Sequence, residues 1–147
     1  MRHALALACA LLAACSFPVR ALATPTLEAV RMVGIQYQWG GRTPETGFDC
    51  SGLVAHVFEH AWGLDLPHSA LAQSRAGKAV RIRDLRPGDL VFYNTRNRPY
   101  SHVGIYLGEG RFIHAPRPGA KVRIESFNTR YWRSRFNGAR RLEPPTL

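Results

Sequence analysis

His102-Val103-Gly104-Ile105-Tyr106-Leu107, followed by Gly108-Glu109-Gly110 and then Arg111-Phe112-Ile113-His114-Ala115, is the stretch that decides the architecture. Apolar residues recur here with period two, and the glycines between the two runs mark a hairpin. Val103, Ile105 and Leu107 fall on one face, and His102, Gly104 and Tyr106 on the other. A three-residue loop over 108–110 pairs Leu107 with Arg111 and Gly104 with His114. That register places His114 on the face of His102, with Gly104 leaving room between them. A two-residue loop would turn His114 to the opposite face.

Working outward, Val80-Arg81-Ile82, Leu90-Val91-Phe92-Tyr93 and Val122-Arg123-Ile124 read as further strands. Pro87-Gly88-Asp89 is a turn, and Asn94 to Tyr100 is a polar loop. Before residue 79 the period is helical. Thr26 is placed to cap a first helix with Leu27, Val30 and Ile35 on its apolar side. Gly40-Gly41 breaks the chain, and Arg42 to Gly47 reads as a loop. A second helix starts at Asp49 or Cys50, carries Leu53, Val54, Val57, Phe58 and Ala61 at helical spacing, and ends at Gly63. Pro67 to Gln73 opens a third, short helix. Helices first and an antiparallel sheet afterwards predict an α+β fold. The expected organisation is one domain over residues 24–147.

The first 23 residues read differently. Met1-Arg2-His3 is a charged head, and Ala4 to Ala14 is an unbroken run of Ala, Leu and Cys. This is the pattern of a secretory signal, too short to span a bilayer. Two processing routes are open. Ala21-Leu22-Ala23 suits cleavage after residue 23. Leu12-Ala13-Ala14-Cys15 suits a lipoprotein signal over 1–14 with a lipid on Cys15. Either route leaves Cys50 as the only free thiol of the three cysteines. An unpaired thiol in an exported protein calls for a chemical reason.

The 147 residues carry 20 basic and 10 acidic side chains. Removing residues 1–23 takes away Arg2 and Arg20 and no acid, so the exported part remains basic, with 18 against 10. Outside the cytoplasm such a surface meets anionic wall polymers and lipid headgroups, and nucleic acid is not an expected partner.

Cys50 sits at the expected start of the second helix, in Gly47-Phe48-Asp49-Cys50-Ser51-Gly52. Free N–H groups and the positive end of the helix dipole gather there. They favour a thiolate and can hold an oxyanion on an attacked carbonyl. His102 supplies a base for that thiol, and His114 a polar group to orient the base. The same three residues could instead hold zinc. No two of them have the short local spacing of zinc motifs, so neither metal nor cofactor is expected. His56, His60 and His68 read as structural, with His56 and His60 on the wet side of their helix.

These residues lie in a set of motifs that resembles the NlpC-type family of cell-wall peptidases, which have a papain-like fold. The stretches are Tyr37-Gln38-Trp39-Gly40-Gly41, Gly47 to Leu53, Leu66-Pro67-His68-Ser69 with Gln73, Leu85 to Phe92, Ser101 to Gly108 and Phe112 to Ala115. They occur in family order across about residues 27–142. The ending Tyr131-Trp132, Arg135-Phe136 and Ala139-Arg140-Arg141 looks most like the small outer-membrane murein endopeptidases. The resemblance implies Cys50 as nucleophile, His102 as general base and His114 as third polar residue. It puts the Tyr37 hydroxyl near the oxyanion, and Asp49 and Ser51 at the substrate groove. Asp49 has an ordinary alternative as a helix cap, Ser51 as a first-turn residue and Tyr37 as core with a wet tip. His68 departs from the pattern, since relatives carry Arg there.

The expected function is therefore hydrolysis of stem-peptide amides in peptidoglycan through a thioester on Cys50. The D-alanyl–diaminopimelate cross-link is slightly favoured over the D-glutamyl–diaminopimelate bond. A thiol amidase or acyltransferase on another substrate, and a non-catalytic wall-binding protein, are the alternatives. The expected state is a monomer, periplasmic or held at the outer membrane through Cys15.

Overall fold

The computed structural model describes residues 24–146. The signal segment 1–23 and the lipidation candidate Cys15 lie outside the described residues. Helix α1 spans Pro25–Arg31 and α2 spans Cys50–Trp62, with the short ladder of β1 (Arg42–Thr43) and β2 (Gly47–Phe48) between them. A four-residue helix, α3 (Ala70–Gln73), leads into the strands β3 (Lys78–Val80), β4 (Leu90–Tyr93), β5 (His102–Gly108), β6 (Arg111–His114) and β7 (Arg123–Ser126). Helix α4 (Arg130–Arg135) and strand β8 (Phe136–Arg141) follow. Six strands form one antiparallel sheet in the order β3-β8-β4-β5-β6-β7. The fold is α+β.

Each central strand buries both faces, which is why Leu90-Val91-Phe92-Tyr93 is apolar without interruption. Leu90, Phe92, Val103, Ile105 and Ile113 pack with Leu53, Val54, Val57 and Phe58 of α2 in one cluster. Val91, Tyr93, Phe112 and Ala139 form a second cluster with Phe127 and Trp132. Helix α2 thus covers one side of the sheet, and the chain around α4 covers the other. The nucleophile helix and the histidine strands are fixed to each other through the first of these cores.

Several expectations need correction. Thr24, not Thr26, caps α1 by accepting the Leu27 N–H, because Pro25 is suited to the first helical position. Leu27 and Val30 are roughly half exposed, and the buried side of α1 carries Pro25 and Ala29. The 42–47 loop closes as the β1–β2 ladder. The strand expected over 80–82 ends at Val80, and Ile82–Asp84 is a single 3₁₀ turn. His56 is buried between Phe48 and His60 and is not on a wet face. Helix α4 and strand β8, which carry no clear period in the sequence, were not anticipated.

The β5–β6 hairpin reaches the expected arrangement by another route. Ile105 pairs with Ile113 and Tyr106 with Phe112, but Gly108 then pairs with Arg111. The turn is therefore two residues, Glu109 and Gly110, both at positive φ as a primed turn requires. The register shift leaves Leu107 as a bulge, and that extra residue cancels the inversion a two-residue turn would impose. His114 stays on the face of His102. A Cβ on Gly104 would stand 3.3 Å from the His114 Cβ and 2.8 Å from the Phe112 ring, so the space is needed.

Candidate active site

Asp49 organises the start of α2. One carboxylate oxygen accepts the Gly52 N–H at 2.7 Å and the other accepts the Gly40 N–H at 3.0 Å. This cap pins the Gly40-Gly41 turn against the helix. Gly52 has no room for a side chain, because a Cβ there would overlap the Gly41 carbonyl oxygen. Replacing Gly52 by Ala is expected to push α2 away from that turn and lower the thermal midpoint, read by circular dichroism, with activity lost in parallel. Buried Gln73 ties in the far side by donating to the carbonyls of Ser51 and Pro67.

Cys50, Tyr37, Asp49, Ser51, His68 and His102 all line one cleft of about 190 Å³. Of the candidate site residues within 24–146, all but His114 thus line this cleft. That residue is fully buried one step behind His102. His102 Nε2 and His114 Nδ1 are 2.8 Å apart, and His114 Nε2 is hydrogen-bonded to a Glu125 oxygen. Glu125 also accepts from Arg123 Nε at 3.1 Å and from Trp132 Nε1 at 3.3 Å. The Trp132 ring stacks on His102, with centroids 5.7 Å apart and planes at 24°.

The proton positions follow from the one group that can only accept. Hydrogen bonds from His114, Arg123 and Trp132 hold the Glu125 carboxyl down to about 2, so it is a carboxylate near neutral pH. His114 must then carry its proton on Nε2 and offer a lone pair at Nδ1. His102 must carry its proton on Nε2 to use that lone pair. Nδ1 of His102 is left bare, and this is the nitrogen able to take a proton from a thiol.

Burial opposes the thiolate expected at the helix start. Val103 and Ser51 backbone N–H groups favour the thiolate, but burial outweighs them and pushes the Cys50 thiol up to about 11. Burial also holds His102 well below the ordinary imidazole value, with a further push from His114. Burial thus favours the neutral thiol and the neutral imidazole over an ion pair in the free enzyme. Alkylation of the free enzyme by iodoacetamide should therefore climb about tenfold per pH unit from pH 7 to 9, as the thiolate fraction does. A rate flat over that range would indicate a preformed ion pair.

The same shifts set the acid response. His102 and His114 are both depressed on folding, so the unfolded chain binds protons that the native one refuses. Stability is full above the ordinary imidazole value near 6.5 and declines as the pH falls below it. Thermal midpoints should drop steadily between pH 7 and 5, and more gently in a His102→Gln variant.

Glu125 and Trp132 were missed at the sequence level. Residues Arg123 and Glu125 share a strand face, but the Pro116-Arg117-Pro118-Gly119 connection obeys no hairpin rule that would fix the β6–β7 register. Observed pairing sets His114 opposite Arg123 and Phe112 opposite Glu125, so Glu125 reaches His114 diagonally.

The NlpC/P60 family profile matches residues 34–141. The chain belongs to the NlpC/P60 family. Among curated relatives, it is 46% identical over 121 residues to a gamma-DL-glutamyl hydrolase of Bacillus subtilis, covering 82% of this chain and 29% of that protein. It is 39% identical to the murein DD-endopeptidase MepH of Escherichia coli, covering 80% of this chain and 45% of the relative. Identity to MepS of Escherichia coli, a murein DD-endopeptidase and LD-carboxypeptidase, is 42%, over 74% of this chain and 56% of MepS. The NlpC/P60 match thus spans between about a third and a little over half of these relatives' lengths. Of solved structures, the NlpC/p60 domain of the peptidoglycan hydrolase SagA superposes with a TM-score of 0.69 at 35% identity, covering 80% of this chain and 96% of that one. An NlpC/P60 protein from Bacillus cereus gives 0.72 at 35% identity, covering 77% and 37%.

Proposed function

We propose that this protein is a cysteine hydrolase of peptidoglycan stem peptides. The observation that carries the proposal is the single cleft holding Cys50 at a capped helix start and His102 at the head of the His114–Glu125 relay. The named activities of the NlpC/P60 relatives support it. In the reaction the Cys50 sulfur attacks the amide carbonyl as its proton passes to His102 Nδ1. The oxyanion is held by N–H groups at the start of α2, with the Tyr37 hydroxyl beside them. His102 then gives the proton to the departing amine, and a thioester remains on Cys50. Water, deprotonated by His102, attacks the thioester, frees the carboxylate product and restores the thiol. Asp49 acts on the groove through the backbone it caps, and Ser51 through its place in the first turn.

The bond cut is D-alanyl–diaminopimelate across a link or D-glutamyl–diaminopimelate within a stem. A gamma-DL-glutamyl hydrolase and murein DD-endopeptidases both match, and in each candidate bond diaminopimelate supplies the amine. Purified sacculi incubated with the protein should yield fragments whose masses identify the bond. Loss of cross-linked dimers points to the first, and release of diaminopimelate-headed peptides to the second. Intact sacculi with tight muropeptide binding would instead favour a wall-binding protein.

Residues 1–23 are proposed to direct export to the periplasm. A mature mass beginning at residue 24, or one carrying lipid on Cys15, distinguishes the two processing routes.

A further inference from the structure

A second cavity, of about 560 Å³, adjoins the cleft and shares Thr95, Arg96 and Pro116 with it. Its other walls include Arg117, Arg123, Glu125, Tyr131 and Trp132. Trp132 stacks on His102 and Glu125 holds His114, so this cavity lies along the imidazole side of the cleft. Asp49, Ser51 and His68 line the cleft alone, at the sulfur side.

We infer that the arginine-lined cavity is a subsite for a free carboxylate on the residue whose amine is released. The inference rests on the hydrolase reading above and deepens it. The acyl half of a substrate ends on Cys50, and the amine half must sit where His102 can protonate it. The cavity is the space beyond that ring. Its charge is unbalanced in favour of an anion. Glu125 is already engaged by His114, Arg123 and Trp132. Arg96 and Arg117 have no carboxylate within ion-pair distance among the described residues. Arg96 is held over the Trp39 ring at 4.4 Å, and Arg117 is bracketed by Pro116 and Pro118 in a turn closed by Ala120 N–H donating to the Arg117 carbonyl. Two arginines lining one concavity that also carries the Tyr131 and Trp132 rings suit capture of a carboxylate. Exposed arginines scattered singly would be ordinary solvated charge; these two line the same cavity. In a D-alanyl–diaminopimelate link the carbon bearing the attacked amine also bears such a carboxylate, and in the D-glutamyl bond the free carboxylate lies at the far end of the side chain.

The test uses full-length Cys50→Ala protein and two amine-side peptides, one with the diaminopimelate carboxylate free and one with it converted to the carboxamide. Calorimetry should show the free acid binding roughly ten- to a hundredfold tighter, the range for a charge-assisted pair. Arg117→Gln in the same background should remove most of that preference and leave carboxamide binding unchanged, and Arg96→Gln should act likewise. Equal affinity for the two peptides, binding of neither, or a preference untouched by both substitutions would overturn the subsite. Because the readout is binding, a protein that selects the carboxylate but leaves sacculi intact would fail the hydrolase reading and keep the subsite.

Discussion

Cys50→Ala protein should release stem fragments from sacculi at a rate lower by about 10⁴-fold or more, the scale seen when a covalent nucleophile is removed. The change deletes one sulfur from a cleft built by backbone contacts of Asp49, Gly52 and Gly41, none of which uses the thiol. The fold and muropeptide affinity should therefore persist. That pairing of results, binding kept and turnover lost, is what a thioester route requires. Fragment release by Cys50→Ala at the parental rate, measured by mass spectrometry on the same digest, would remove the thiol from the reaction altogether.

Glu125→Gln should be nearly as damaging, with kcat down by about 10² to 10⁴, the upper figure being the known cost of inverting a histidine tautomer in a serine triad. All three neighbours of Glu125 donate: His114 Nε2, Arg123 Nε and Trp132 Nε1. A glutamine cannot accept from all of them. With its oxygen toward Trp132, its NH₂ faces Arg123 and His114. His114 then escapes the clash by moving its proton to Nδ1, which forces the His102 proton onto the nitrogen that should accept from the thiol. With the amide reversed, NH₂ meets the Trp132 N–H and the indole is pushed off its stack with His102. Glu125 is a positioning residue, so the loss should come with a moved pH optimum and altered imidazole ¹⁵N shifts at unchanged KM. A variant losing activity only in proportion to its thermal stability would reduce Glu125 to a structural role.

The parts of this molecule legible in the sequence are those set by local rules. Helix α2 announced itself through apolar spacing, an Asp cap and a left-handed Gly63. The β5–β6 pair was legible through alternation, and His102 and His114 with it, though the turn had one residue fewer than expected and a bulge made up the difference. What escaped was decided by tertiary context. Strand β8 reads Phe136-Asn137-Gly138-Ala139-Arg140-Arg141, with no strong period, and is a strand because β3 and β4 flank it. Glu125 depended on an unreadable register. The resting charge of Cys50 depended on burial, which the helix-start argument could not weigh.

Strand β8 has a temporal consequence. It is the last strand of the described residues, yet it lies between β3 and β4. Its own Asn137 also fastens the loop that carries Arg96, by accepting the Tyr100 N–H at 2.8 Å. A growing polypeptide that has emerged only as far as residue 135 has β3 unpaired and β4 open along one edge. Synthesis and transit must deliver β8 before β3 can join the sheet and the Arg96 loop can be fastened, so the cleft is completed only once this strand is in place.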